Sequence, residues 1–100
     1  MGKLVRDKIP SLIEQNGQKP LIRVLDRAEY CSCLEAKLDE EVAEFHADRN
    51  AEELADILEV VFALAESRGC SRVELTEIYL AKHEKRGGFR DRVFLVSVED

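Results

Sequence analysis

Two pairs of acidic residues, each with a spacing of three, are the strongest chemical signal in this 100-residue sequence. Glu41 and Glu44 stand in EEVAE, and Glu53 and Asp56 stand in EELAD. Residues three apart are neighbours on one face of a helix, so each pair can present two carboxylates to the same ligand. Carboxylate oxygens are the ligands that hard divalent cations prefer. The spacing therefore predicts a metal site, provided that the two helices meet.

The apolar pattern places these acids beside a core. In the first helix Glu41 falls inside an apolar stripe, and Glu44 lies at its edge. In the second helix Glu53 and Asp56 project between core-lining positions. The two stripes are formed by Cys31, Leu34, Leu38, Val42 and Phe45, and by Leu54, Ile57, Leu58, Val60, Val61, Leu64 and Ala65.

Ionised carboxylates in such places lose several kcal/mol of hydration each unless a positive group compensates. We expect Mg²⁺ as that group, with Mn²⁺ as the alternative, because Mg²⁺ combines a few carboxylates with waters and substrate phosphates. Two interpretations that need no metal stay open: Glu53 could form a capping box with Asn50, and Glu44 could be a solvated residue at the edge of the stripe.

The elements that must position the acids are predicted from capping and periodicity. Asp26, Asn50 and Ser71 each precede a glutamate by three, which predicts helices near residues 27–48, 51–68 and 72–86. Pro10 begins a shorter helix that ends near Asn16. Short connections make consecutive helices antiparallel, so a single all-α domain over 1–100 is expected, a helical bundle. Residues 20–25 and 92–98 are β-rich and could pair as a small two-stranded ribbon.

Composition narrows the function classes. The net charge is -6, and residues 29–66 hold twelve acids against two bases, which argues against nucleic acid as the main partner. No apolar run approaches the ~18 residues of a membrane span, and the N-terminus lacks a secretory core, so no membrane partner and a cytoplasmic location are expected. Three cysteines without a C-x-x-C pair indicate neither a disulfide framework nor zinc. The modest size favours a homodimer or homotetramer.

Basic residues could complete a phosphate site. Lys82, Lys85 and Arg86 lie within about one turn at the end of the last helix, where they also suit the helix dipole. Lys3 and Arg6 in the leading KLVRDKIP could line the same site. Alternatively, Arg6 could form a structural ion pair with Asp7.

The chain resembles the MazG-like all-α nucleotide pyrophosphohydrolases, a family often labelled phosphoribosyl-ATP pyrophosphohydrolase-like. The likeness rests on KLVRDKIPSLIE, PLIRVL, EEVAE followed by EELADILEV, and KRGGF, and it covers nearly the whole chain. It implies a MazG-like bundle and an enzyme that cleaves nucleoside triphosphates to the monophosphate and pyrophosphate.

Carried onto this sequence, the resemblance makes Glu41, Glu44, Glu53 and Asp56 the Mg²⁺ ligands. Glu40 or Glu41 then becomes the carboxylate that orients the attacking water as a base, and Lys82 and Arg86 match a phosphate-contacting K-x-x-x-R. The chain departs from the family in the short gap of eight residues between Glu44 and Glu53. It also has Leu80 where many members have asparagine.

We therefore expect a Mg²⁺-dependent nucleotide pyrophosphohydrolase, a hydrolase acting on acid anhydrides. Two alternatives remain. One is the phosphoribosyl-ATP pyrophosphohydrolase of histidine biosynthesis, which would use the metal ion in the same way on a different substrate. The other is a non-catalytic oligomeric module that binds a nucleotide or a protein.

Overall fold

Four helices make up the regular structure of the described part of the chain. The computed structural model describes residues 2–100. The helices are α1 (Ile9–Gln15), α2 (Arg27–Asp48), α3 (Ala51–Ser67) and α4 (Arg72–Arg86). The all-α prediction is therefore confirmed, and each long helix lies within one residue of its predicted bounds.

Local chemistry explains where the long helices start and stop. The side chains of Asp26, Asn50 and Ser71 each accept a hydrogen bond from the backbone N–H three residues later, which satisfies one free donor at the helix start. Arg49 adopts a left-handed conformation (φ 54°) just after α2. That single residue, followed by the N-cap Asn50, reverses the chain and makes α2 and α3 an antiparallel hairpin.

The hairpin supplies the core. Leu34 of α2 and Val60 of α3 are its buried apolar residues. Helix α4 packs on α3 more lightly: the Arg72 guanidinium lies 4.1 Å from the centre of the Phe62 ring, and Leu75 is half-buried. The hairpin is thus the part of the fold that can hold side chains in fixed positions.

The predicted two-stranded ribbon does not form. Neither 20–25 nor 92–98 is a strand among the residues described, and side chains such as Leu21, Val24 and Phe94 are almost fully exposed. The reason is that a lone two-stranded ribbon is marginal unless one face packs on another element, and neither segment has such a support here.

The chain leaves much apolar surface in contact with solvent. Its accessible surface is 9188 Å², whereas a compact monomer of 11.4 kDa exposes about 5,800 Å². The radius of gyration is 17.9 Å, against about 13 Å for a compact domain of this length. None of the helices in the described part of the chain is long and apolar enough to cross a membrane.

Candidate metal centre and adjoining groove

The structure brings three of the predicted ligands together. One carboxylate oxygen from each of Glu41, Glu53 and Asp56 lies within 4.8 Å of the other two. Glu41 comes from the middle of α2, and the other two come from the first turns of α3. The tight turn at Arg49 and Asn50 makes this meeting possible, because it sets the start of α3 against the second half of α2.

Glu41 is the most unusual member of this acidic cluster. It is only 7% exposed, and it is the one buried charged residue of the described chain. Its Oε2 is buried without a hydrogen-bond partner among residues 2–100. Burial raises the pKa of the Glu41 carboxyl, and the nearby charge of Glu44 raises it further. A buried carboxylate oxygen without a partner is unfavourable, so a donor or a cation at Oε2 would stabilise it.

Glu53 does not serve as a capping side chain. In α2 and α4 the glutamate three residues after the N-cap bonds back to the N-cap backbone N–H, as Glu29 does to Asp26 and Glu74 does to Ser71. In α3 the backbone of Glu53 donates to Asn50 at 3.0 Å, but no return bond from its side chain is found in the described chain. Instead its Oε2 is buried and unpartnered, and burial raises its pKa. The capping-box interpretation of the Glu53 carboxylate is therefore wrong.

Two cations already lie against the cluster. Arg6 Nη2 donates a hydrogen bond to Asp56 Oδ1 at 2.6 Å, and Arg6 Nη1 lies 3.8 Å from a Glu59 oxygen. Lys37 Nζ lies 3.3 Å from Glu40 and 3.5 Å from Glu41, with only 17% of its side chain exposed. Arg6 thus pairs with acids of α3, and the alternative pairing with Asp7 is not observed among the ion pairs of residues 2–100. Both cations leave the buried Oε2 atoms of Glu41 and Glu53 unpartnered.

The cluster fits a small divalent cation. Oxygens that share one Mg²⁺ at about 2.1 Å lie about 3–4 Å apart, so the separation of up to 4.8 Å closes with small side-chain movements. The donors are all carboxylate oxygens, which excludes a soft-metal preference. Glu41 and Asp56 also line two cavities, where waters or a phosphate can lie.

The remaining predicted site residues stand farther out. Glu44 is exposed beside Glu41, and Glu40 is half-buried and held by Lys37. Lys3 lines a small cavity of about 230 Å³ together with Arg6, Lys37, Glu41 and Asp56. In contrast, the three basic residues at the end of α4 are exposed and line neither cavity described here: Lys82, Lys85 and Arg86.

A groove of about 450 Å³ adjoins the acidic cluster. Its walls are α2, α3 and the N-terminal segment of residues 4–8, which we call the N-terminal strap. Sequence reasoning missed several of its polar residues, although the i, i+4 spacing of Lys37 to Glu41 was a usable signal for Lys37. These residues are Asp7, Tyr30, Lys37, Glu59 and Glu66.

Comparisons with known proteins add little about activity. No family model matches the chain, and no solved structure matches it. The chain is similar to an uncharacterized protein of Mycolicibacterium smegmatis, with 57% identity over 47 residues. That match spans 47% of this chain and 48% of the relative, so about half of each protein is compared.

Proposed function

We propose that the protein is a Mg²⁺-dependent nucleotide pyrophosphohydrolase, which cleaves a nucleoside triphosphate or a related nucleotide to the monophosphate and pyrophosphate. One observation carries this proposal: two buried carboxylate oxygens without partners, from Glu41 and Glu53, converge with Asp56 at the end of a groove large enough for a small molecule. The sequence resemblance described above supports the same reaction.

In this proposal Glu41, Glu53 and Asp56 hold the cation, and the exposed Glu44 reaches it from the rim. Bound there, Mg²⁺ would supply charge that polarises a phosphate and acidifies a water. Glu40 or Glu41 is the general base that orients the attacking water. Lys37, held 3.3 Å from Glu40 and 3.5 Å from Glu41, fixes the positions of both carboxylates and reduces their mutual repulsion.

The basic side chains around the cluster could bind the phosphate oxygens of the substrate that the metal ion does not contact. Lys3, Arg6 and Lys37 border the smaller cavity, where phosphate oxygens that the cluster does not hold can be neutralised. A cation bound at Asp56 repels Arg6, so the guanidinium becomes available for phosphate as the site fills. Positive side chains at these points stabilise charge that develops on the leaving pyrophosphate.

The proposal includes a homo-oligomer, a dimer or tetramer. The surplus of accessible surface over a compact monomer is about 3,400 Å², and a large share of it is apolar side chains of α4 and of the extended segments. An assembly that buries it can also carry Lys82, Lys85 and Arg86 of one subunit to the acidic cluster of another. We place the activity in the cytoplasm, where its nucleotide substrates are found.

The test is pyrophosphate release from nucleoside triphosphates and phosphoribosyl-ATP, with Mg²⁺, with Mn²⁺ and with chelator, on the native protein and on Glu41→Gln. Release should need the metal and should be lost in the variant, because the amide cannot replace the charged ligand. Saturating Mg²⁺ at 100 times its dissociation constant should add about 2.7 kcal/mol of stability to the native protein only. That gain corresponds to a rise of at least about 10 °C in Tm.

Glu52→Gln is the matched control, since Glu52 is an exposed acid beside Glu53 that lies outside the cluster. It should keep both activity and the response to Mg²⁺. Without metal, Glu41→Gln should melt no lower than the native protein, because it removes a buried charge; this separates lost chemistry from lost folding. Full turnover in Glu41→Gln contradicts the proposal. No release from any substrate, with no stability response to Mg²⁺, would favour the non-catalytic module.

A further inference from the structure

The groove extends from the acidic cluster along the α2/α3 hairpin. Because the two helices are antiparallel, residue numbers decrease along α2 and increase along α3 in the direction away from the cluster. The α2 set has helical spacings of three or four, and the α3 set has spacings of three apart from the adjacent Glu59 and Val60, so each set forms one stripe. The α2 stripe is Glu41, Lys37, Leu34 and Tyr30, and the α3 stripe is Asp56, Glu59, Val60, Ala63 and Glu66.

The length of the groove suits an extended nucleotide. From Asp56 to Glu66 the α3 stripe rises about 15 Å, at about 1.5 Å per residue. This is comparable to the distance from the terminal phosphate of an extended nucleoside triphosphate to the far edge of its base. Phosphates held at the acidic cluster therefore leave the base beside Tyr30 and Glu66.

The middle of the groove is apolar and closed on one side. Leu34 and Val60 are buried and form its floor, with Ala63 half-buried beyond them. Leu4 and Val5 of the N-terminal strap are half-buried and form the facing wall. The flat ring of a base can replace water there without leaving polar side chains of the groove unpaired.

The far end of the groove combines one aromatic ring with two carboxylates. Tyr30 is half-buried, and its pKa is raised first by burial and then by the charges of Asp7 and Glu66, so both acids lie near the phenol. Within residues 2–100 neither Asp7 nor Glu66 forms an ion pair. Ionised carboxylates only accept hydrogen bonds, so this end can pair with donors but not with carbonyl groups.

We propose that this groove is the nucleoside subsite, that Tyr30 stacks on the base, and that Glu66 accepts hydrogen bonds from its N–H edge. The preferred base is one with two adjacent donors, which among the natural bases is guanine with its N1–H and 2-amino group. Uracil and thymine present a single N–H between two carbonyls, and those carbonyls face the carboxylate unfavourably. The placement of the phosphates rests on the proposed function; the chemistry at the far end does not.

The experiment measures binding of guanosine and inosine monophosphates by calorimetry, with Mg²⁺ and with chelator. The two ligands differ only in the 2-amino group. We expect the native protein to bind guanosine monophosphate about tenfold more tightly, the value of one hydrogen bond to a charged acceptor. Glu66→Gln should bring the two affinities within about twofold of each other, since its amide offers one acceptor in place of two.

Two further variants separate the roles. Tyr30→Leu keeps an apolar side chain but removes the ring, so it should weaken both ligands by a similar factor and leave their ratio unchanged. Glu77→Gln is the matched control for charge, because Glu77 is an exposed glutamate of α4 that does not line the groove. It should change neither affinity nor ratio.

The outcomes distinguish this inference from the proposed function. Equal binding of the two monophosphates by the native protein, or an unchanged preference in Glu66→Gln, overturns the nucleoside subsite even if triphosphates are hydrolysed. A preference that disappears in Glu66→Gln while no triphosphate is hydrolysed supports the subsite and rejects the pyrophosphohydrolase. Tyr30→Leu without effect on either ligand also overturns the stacking arrangement.

Discussion

The α2/α3 hairpin and the chain from residue 72 onward differ in how far their apolar side chains are buried. The hairpin buries Leu34 and Val60 and holds Glu41 at 7% exposure between them. From residue 72 to the C-terminus only Leu75 is half-buried, and large apolar side chains such as Ile78, Leu80 and Phe94 are exposed. One region buries a small core, and the other leaves its apolar side chains exposed.

The proposed chemistry and the proposed subunit contacts therefore involve different parts of the molecule. Desolvated carboxylates require fixed surroundings, and only the hairpin provides them. The second region offers apolar side chains at exposed helical positions, such as Val73 and Leu80, which are seven residues apart and so lie on the same side of α4. We expect the hairpin to carry the site and α4 to carry the contacts between subunits.

The largest expected effect comes from a substitution in α4 that disrupts the proposed subunit contacts. Leu80→Lys introduces a charge on the exposed apolar side of α4 and should convert the assembly into monomers, because burying an unpaired ammonium at an interface is strongly unfavourable. Light scattering or sedimentation velocity would show the change as a loss of at least half of the mass.

The matched control places the same lysine on the hairpin. Ser32 is exposed on α2, on the side away from the core, so Ser32→Lys should leave the mass unchanged. If the native protein is monomeric, or if Leu80→Lys keeps its mass, the assignment of α4 to subunit contacts is wrong.

A smaller effect is expected from a substitution beside the acidic cluster of the hairpin. Arg6→Ala removes the guanidinium that lies 2.6 Å from Asp56 and competes with a cation for that carboxylate. Mg²⁺ affinity should rise about two- to fivefold, the range for an exposed ion pair, while kcat/KM for triphosphates should fall because a phosphate contact is lost. Calorimetric titration with Mg²⁺ and initial rates measure the two changes separately.

Lys19→Ala is the control for this variant, since it removes one positive charge at an exposed position outside both cavities. It should change neither quantity appreciably. A parallel loss of metal affinity and activity in Arg6→Ala would indicate that Arg6 supports the fold of the strap and does not exchange between carboxylate and phosphate.

The smallest expected effect concerns the N-terminal caps of α2 and α4, which belong to the two regions compared above. The Arg23 guanidinium, followed by the cap at Asp26, lowers the pKa of Glu29 from 4.5 to about 2. A lowered pKa stabilises the folded state above pH 4.5, and this contribution disappears as the pH falls toward 2. Glu29→Gln should therefore lower Tm slightly at neutral pH and not at all near pH 2.

Glu74→Gln is the counterpart in α4. The cap at Ser71 also lowers the pKa of Glu74, but no arginine assists it, so the loss of Tm at neutral pH should be smaller than for Glu29→Gln. Thermal melts of both variants at several pH values measure the comparison. A larger effect at Glu74, or an effect of Glu29→Gln that grows on acidification, would contradict this account.

Local sequence signals predicted the helices well. Each N-cap acts on the backbone within three residues, so Asp26, Asn50 and Ser71 fixed their helix starts without reference to the rest of the chain. The ribbon failed because strand pairing depends on a partner surface that lies far away in sequence. The acidic pairs were predicted to meet, and three of the four ligands do; Glu44 stands at the rim because it lies at the edge of the apolar stripe.

By itself, the sequence determined the four helices, the hairpin and the location of its acids near the core, because these follow from interactions within one or two helical turns. Tertiary packing decided the rest. Glu29, Glu53 and Glu74 occupy the same position in three similar caps, yet of the three only Glu53 has a buried carboxylate oxygen without a partner, because the tight turn at Arg49 sets the first turn of α3 against α2. The N-terminal strap likewise reached the cluster through Arg6, a contact across fifty positions that no local pattern encodes.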